Sequence, residues 1–459
     1  MESLWRKQTG EIEARTGSKE KKEHWEIIVI GAGMAGILTA YYLKKAGLQV
    51  LVLEADRIAS GQTGRTTAKI TSQHGLKYDD LIKTAGREKA ILYAEANQKA
   101  IDEYERLIRE EKIDCQFKRC PAYLYVEELE RDEDHTDIKK IAKNNKQLTN
   151  LTKEAQAVSD LGLPASFTPE TELPFPVAGA IRFENQARFS PLEFIRHLTK
   201  ELEIWENTQV IGIRGNEVIT KGEKIQADKI VVAAHYPFVN RFGFYFMRQH
   251  QERSYVLALS GCKEIEGMYL GLGDDGLSFR QAGEYLLLGG GGHRTGENKS
   301  GGKYAFLEQA AKQYFPEGRI EARWSAQDCM PHDGIPFIGK YSIFTPNLYV
   351  ATGFQKWGMT SSMVAAQILR DTLCQKENPY AKLFTPQRCY FRAAGKLLFD
   401  TGVSIKGLTQ GLFGKRCSHM GCKLEWNPDE QSWDCPCHGS RFDKEGKLLD
   451  NPALKNKEQ

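Results

Sequence analysis

The stretch from Glu26 to Glu54 constrains this chain more than any other. Glu26 to Ile30 is an apolar, β-branched run, the pattern of a parallel strand buried on both faces. It leads into Gly31-Ala32-Gly33-Met34-Ala35-Gly36, then a helical stretch, Ile37 to Lys45, ending at Gly47. A second strand, Leu48 to Leu53, closes on the acid Glu54. The glycine pattern alone is weak, and a glycine-rich turn before a helix is its plain alternative. Here strand, glycines, helix, second strand and acid all fall where a dinucleotide-binding βαβ unit needs them. In such a unit Gly31 makes the tight turn, Gly33 admits the pyrophosphate to the backbone, and Gly36 lets helix and strand pack. Met34 and Ala35 open the helix whose N-terminus faces the phosphates, and Glu54 accepts hydrogen bonds from a ribose. A second literal match, Gly271 to Gly276, contains Asp274-Asp275-Gly276 and is followed by strand-like residues, so it reads as a hairpin turn without a phosphate site.

At 459 residues the chain is long enough for about three domains. Its 63 basic and 60 acidic residues leave a net charge of +3, which implies no attraction to nucleic acid. No run of 18 apolar residues is present, so no membrane span is expected. Met1 to His24 is charged, lacks the apolar core of a signal peptide, and reads as a frayed, flexible tail. The ten cysteines do not form a secreted disulfide framework, which points to a cytoplasmic protein.

Four of the chemistry-bearing residues lie near the C-terminal end, in two loops fifteen residues apart: Cys417-x-His419 and Cys435-x-x-His438. Two thiolates and two imidazoles are the ligand set of a mixed Cys/His [2Fe–2S] centre. The rival is a Cys2His2 zinc site, to which a C-x-H spacing is poorly suited. The whole run from Cys417 to Asp443 resembles the Rieske iron–sulfur proteins, including Gly421-Cys422 and Gly439-Ser440. That resemblance implies a cluster held by Cys417, His419, Cys435 and His438, with Cys422 and Cys437 as a possible clamping disulfide. It also implies exposed histidines at the domain tip, near which a one-electron acceptor protein would bind.

Between these ends, Asp79 to Glu110 reads as one amphipathic helix, and Ile225 to Ala234 as a buried return strand. Ser60 to Lys69 is a small, polar loop holding Thr63, Gly64, Thr66 and Thr67. Farther on come Asp333 to Gly339, a strand ending at Thr352-Gly353, and a helix opened by Gly358-Met359-Thr360. These segments resemble the glycine oxidase and D-amino-acid oxidase family of FAD enzymes, and imply that the named residues bind FAD. Arg280, His293 and Lys69 are the candidate catalytic residues. Where the relatives place a carboxylate-binding arginine, this chain has Asp328, so an amine replaces the α-amino acid as expected substrate.

The expected fold class is α/β (α+β overall). A Rossmann-like FAD-binding domain (25–110, 175–238, 320–375) is interleaved with a β-sheet substrate domain (111–174, 239–319). A linker (376–390) and a small all-β Rieske domain (391–459) follow, the latter leaning on its neighbour for burial. The expected activity is FAD-dependent oxidation of a small molecule, with electrons leaving singly through the cluster. The alternative is a non-catalytic flavin and iron–sulfur carrier that exchanges electrons only with protein partners.

Overall fold

In a computed structural model the described residues are 2–13, 22, 24–129, 138–240, 242–388, 402–403 and 414–457. An eight-stranded sheet is built around the strand His24–Ile30, which pairs in parallel with Val50–Leu53 on one side and Lys224–Val232 on the other. Leu348–Thr352 continues the parallel order and Phe337–Lys340 closes that edge antiparallel. The helices Met34–Lys45, Arg87–Glu110 and Gly358–Leu373 bury their apolar residues against one face. Cross-strand burial on both faces explains why these strands read as continuous hydrophobic runs. The helix expected from Asp79 to Glu110 is two, Tyr78–Ala85 and Arg87–Glu110, because Gly86 sits at φ +93° and breaks the ladder.

A nine-stranded, largely antiparallel sheet runs from Arg319–Pro331 through Gln249–Ser260 and Tyr285–Arg294 to Lys69–Ile70. Val177–Arg188 and Arg319–Pro331, both expected within FAD-binding segments, are strands of this sheet, the first pairing with Lys118–Glu127 and the second with Gln249–Ser260. Gly271 to Gly276 does turn one strand of this sheet into the next, Met268–Gly271 to Ser278–Ala282.

The N-terminal stretch is not a tail throughout. Leu4–Thr9 is a helix capped by the Ser3 side chain, and Leu4, Trp5 and Ile12 are buried. Trp5 donates its indole N–H to the carbonyl of Thr66 at 2.6 Å, and Arg6 reaches the carbonyl of Ile58 at 2.7 Å. Three apolar side chains among many charges are enough to anchor the segment beneath the 58–66 loop.

A third, four-stranded sheet comprises Glu425–Asn427, Ser432–Asp434, Arg441–Phe442 and Leu448–Asp450. The expected linker is described as far as Arg388 and contains a short helix, Ala381–Phe384, whereas the start of the C-terminal domain lies mostly outside the described residues. What is described packs against the strands Gln249–Ser260 and Arg319–Pro331. Gly439 approaches so closely that a Cβ there would stand 2.7 Å from the Gln251 side chain. No helix among the described residues is long and apolar enough to cross a membrane.

Candidate flavin cavity and cluster site

The glycine turn and the loops around it enclose a cavity of about 1340 Å³, larger than a single small-ligand pocket and roomy enough for a dinucleotide with a substrate beside it. Gly31, Gly33, Met34, Ala35 and Glu54 line it, as do Thr63, Thr66 and Thr67. Gly353, Gly358 and Met359 form part of the opposite wall. Gly36, Gly64, Thr352 and Thr360 stand behind the wall. A Cβ on Gly36 would lie 1.8 Å from the Gly31 carbonyl oxygen, and one on Gly31 would lie 2.7 Å from that of Ala233. Thr63 Oγ1 accepts from the Met34 amide at 2.9 Å, and Thr352 donates to the His235 carbonyl at 2.6 Å. Burial raises the pKa of Glu54, opposed by the backbone N–H groups of Ala32 and Asp56 that its two oxygens accept. The backbone cradle, the helix N-terminus and the carboxylate at the end of the second strand fit FAD.

The candidate catalytic residues separate. Lys69 lines the cavity, its Nζ donating to the Tyr269 carbonyl and the Ser278 hydroxyl at 2.7 and 2.6 Å. Burial, with the Arg280 charge nearby, pulls its pKa down to about 7. Arg280 is committed to carbonyls of Thr67, Ala68 and Phe189 and braces the loop over the cavity. His293 also lines the cavity, but its ring bridges the Arg294 carbonyl at 2.7 Å and the Tyr255 hydroxyl at 3.1 Å. That Tyr255 hydroxyl in turn accepts from Asn427 of the C-terminal sheet, so the histidine helps join two domains.

Asp328 faces the cavity and pairs with Lys356 at 3.2 Å, while Arg323 pairs with Glu308. Lys356 also reaches Glu252 at 3.3 Å, so one ammonium lies between two carboxylates. The Lys356 side chain is one-third exposed and lines the cavity. Burial alone would raise the Glu252 carboxyl; the hydrogen bond to His250 and the Lys356 charge hold it down at about 2. Glu252 and Lys356 escape a sequence reading because their partners are remote. The alternation in Gln249-His250-Gln251-Glu252-Arg253, polar on both faces, is the one local signal of a strand lying between two polar environments.

At the cluster loops, the rings of His419 and His438 meet edge-on with centroids 5.0 Å apart. Sulfur proximity alone groups Cys422, Cys435 and Cys437 within 4.8 Å of one another, with Cys417 hydrogen-bonded to Cys435. The imidazoles argue for the mixed set. Nδ1 of His419 is buried without a hydrogen-bond partner among the described residues, an unusual state for a polar atom that no ligand is meant to reach. Burial beside His438 lowers its pKa to about 3, which keeps the ring in the neutral, metal-binding form. The donor set of Cys417, His419, Cys435 and His438 therefore fits a [2Fe–2S] centre. Two expectations need correction. No disulfide joins Cys422 and Cys437: both are free cysteines, and their sulfurs lie with that of Cys435 within 4.8 Å of one another. The histidines are not both at an exposed tip: His438 is buried and His419 half-buried, because the cluster loops face the flavin-binding half.

The joint between the two centres is polar and buried. Gln251 donates to the His438 carbonyl at 2.7 Å, and Gln327 to the Gly439 carbonyl at 2.8 Å and to Gln251 at 2.6 Å. His235, on the cavity wall, lies 3.2 Å from the same Gln251 amide.

Ser440 places a buried hydroxyl close enough to Cys417 to favour its thiolate, whereas Phe442, wholly buried in the same cysteine-rich core, has no hydroxyl to offer. Donors to cluster sulfur favour the reduced state, so the potential should fall below the upper end of the Rieske range, about +300 mV. Phe442→Tyr should raise it. Voltammetry showing no rise would remove Phe442 from the list of tuning positions.

Comparison with known proteins agrees with this geometry. Residues 26–372 match the family described as FAD dependent oxidoreductase (DAO), and residues 409–459 match the Rieske [2Fe-2S] domain. YhfW of Bacillus subtilis (strain 168), named as a Rieske 2Fe-2S iron–sulfur protein, is 35% identical, with 94% of this chain and 92% of that protein covered. A cytochrome b6-f complex iron–sulfur subunit of Trichormus variabilis is 51% identical over 37 residues, 8% of this chain and 21% of that protein. Among solved structures, glycine oxidase from Geobacillus kaustophilus aligns with a TM-score of 0.65 at 16% identity, covering 80% of this chain and all of that one. L-proline dehydrogenase from P. horikoshii gives 0.63 at 18% identity, covering 80% and 98%. The chain belongs to the DAO family of FAD-dependent oxidoreductases and carries a C-terminal Rieske [2Fe–2S] domain.

Proposed function

We propose that the protein, in the cytoplasm, oxidises a small amine at the flavin and releases the electrons singly through the cluster to a separate acceptor protein. The observation that carries this reading is the seating of the cluster loop on the cavity wall through Gln251 and Gln327. When bound, FAD supplies two-electron acceptance and the [2Fe–2S] centre one-electron relay.

The side chains supply the selectivity. Two carboxylates, Glu252 and Asp328, surround the single ammonium of Lys356, and the local excess of negative charge favours a cationic or neutral amine over a zwitterionic amino acid. Lys69, poised near neutral pH, can hold or release a proton at Nζ beside the substrate. Acceptor docking draws support from apolar surface near the cluster loops. Phe244 is exposed and lies 6.1 Å from Phe246, which is 5.9 Å from the His438 ring; Met420, next to His419, is exposed as well.

Anaerobic mixing with amines, N-methyl compounds and hydroxy acids tests the reading. An amine should bleach the flavin, after which the spin signal of the reduced cluster should grow. Asp328→Asn should lower kcat/KM for that amine by roughly 10- to 150-fold, the equivalent of about 1.5–3 kcal/mol for a charged hydrogen bond. Efficient turnover of glycine, sarcosine or D-alanine would remove the amine preference. A cluster that stays oxidised while reduced flavin yields only peroxide would remove the relay.

A further inference from the structure

The C-terminal sheet contributes more than the cluster loops. We propose that its last strand and the residues after it, Leu448 to Asn456, form a wall of the FAD site, so that retention of FAD depends on the cluster being in place. The assignment rests on the family's two cofactors and is independent of the substrate reading above.

Asp450, Asn451 and Leu454 line the same cavity as the glycine turn. Three tethers fasten this segment to three separate parts of the cavity rim. Asn451 donates through Nδ2 to the carbonyls of Ala234 and Tyr236 at 2.7 and 2.9 Å. Those carbonyls continue directly from Ala233, against which Gly31 is packed too closely for any Cβ. Gln62 donates to Asp450 at 3.2 Å, one residue before the Thr63 that caps the Met34 amide. Gln209 donates to the Leu454 carbonyl at 3.1 Å. A dinucleotide in this crevice therefore lies behind the segment.

The segment's own support comes from the cluster subdomain. Strands of two or three residues carry little apolar surface, and four of the seven buried core residues there are cysteines: Cys417, Cys422, Cys435 and Cys437. Such a core relies on its metal centre for stability. Ala453, within the segment, belongs to that core, and its amide donates to the Ser440 hydroxyl at 3.0 Å. Ser440 follows the second ligand loop, so one short path runs from the cluster to the cavity wall. Whatever the cluster contributes to the order of this segment is then shared with bound FAD, and by linkage FAD must protect the cluster in return.

The test uses full-length protein under anaerobic conditions and follows flavin fluorescence as FAD is released, with no substrate present. Cys435→Ser, which cannot assemble the cluster, should release FAD about tenfold faster than wild type, as should a Gln209→Ala/Asn451→Ala double variant that keeps its iron and sulfide; a tenfold change is about 1.4 kcal/mol, the scale of one or two net hydrogen bonds. The double variant answers the question even where Cys435→Ser fails to fold. Wild-type release rates in an iron-replete double variant would overturn the wall, and unchanged retention in a folded Cys435→Ser protein would overturn the coupling. Wild type purified without any FAD would instead count against the cofactor assignment itself.

Discussion

Arg441→Met should cost the protein about 3–5 kcal/mol, the usual penalty for leaving buried charges without their partner, and should empty it of iron. Arg441 is buried and holds three carboxylates: Asp434 at 3.1 Å, Asp450 at 2.8 Å and Glu430 at 3.2 Å. Arg253 of the Gln249–Ser260 strand adds a second guanidinium, 3.7 Å from Glu430 and 3.6 Å from Asp450. These ion pairs thus bridge the C-terminal sheet and the flavin-binding half. Methionine matches the length of the aliphatic stem but returns none of the charge.

The pH dependence has a definite sign. Burial works to raise the carboxyls of Asp450 and Glu430, but the Arg441 and Arg253 charges outweigh it and hold both below their ordinary values. In wild type their contribution is complete above the unfolded carboxylate pKa near 4 and is lost as the pH falls through the lower folded values. In the variant, burial opposed by Arg253 without Arg441 shifts those pKa values upward. The penalty is then present at neutral pH and is relieved on acidification. Urea unfolding should therefore show a wild-type-to-variant gap that is smaller at pH 5.5 than at pH 8. An equal gap at both would mean that lost packing, not charge, accounts for the destabilisation.

Gly36→Ala should leave a folded but FAD-free protein. A single Cβ there would stand 1.8 Å from the Gly31 carbonyl oxygen and 3.4 Å from the Val29 side chain. The first of these is backbone, so the helix Met34–Lys45 must move away from the turn. Its first-turn residues Met34 and Ala35 line the cavity, and their displacement removes the donors aimed at phosphate. Overpacking costs about 1–3 kcal/mol, and were the upper figure to fall wholly on binding, FAD affinity would drop by roughly 150-fold. Gly222→Ala, where no atom lies within 4 Å of the new Cβ, is the control and should stay within about 0.5 kcal/mol of wild type. Flavin absorbance after gel filtration reads both. Full FAD occupancy in Gly36→Ala would show that the turn can give way without losing its ligand.

The sequence by itself determined the two cofactor-binding cores. Gly31, Gly33, Gly36 and Glu54 lie within 24 residues, and each cluster loop within four, so chain connectivity alone brings their backbone groups together. Steric and coordination demands at such short range leave a readable pattern. The tertiary structure decided everything that depends on remote pairing. Asp328 was visible as a departure, but its partner Lys356 lies 28 residues on and reaches it only because a cavity folds between them. Trp5 looked like part of a charged tail until Thr66 supplied its acceptor. The inward-facing His438 follows from how the cluster loops dock on Gln251 and Gln327. The contact between Gln62 and Asp450 spans 388 residues, and neither segment has a pattern that announces it. Local sterics are written in spacing, whereas a polar side chain's role depends on which donor or acceptor packing brings within about 3 Å, and that is settled only when the three sheets assemble.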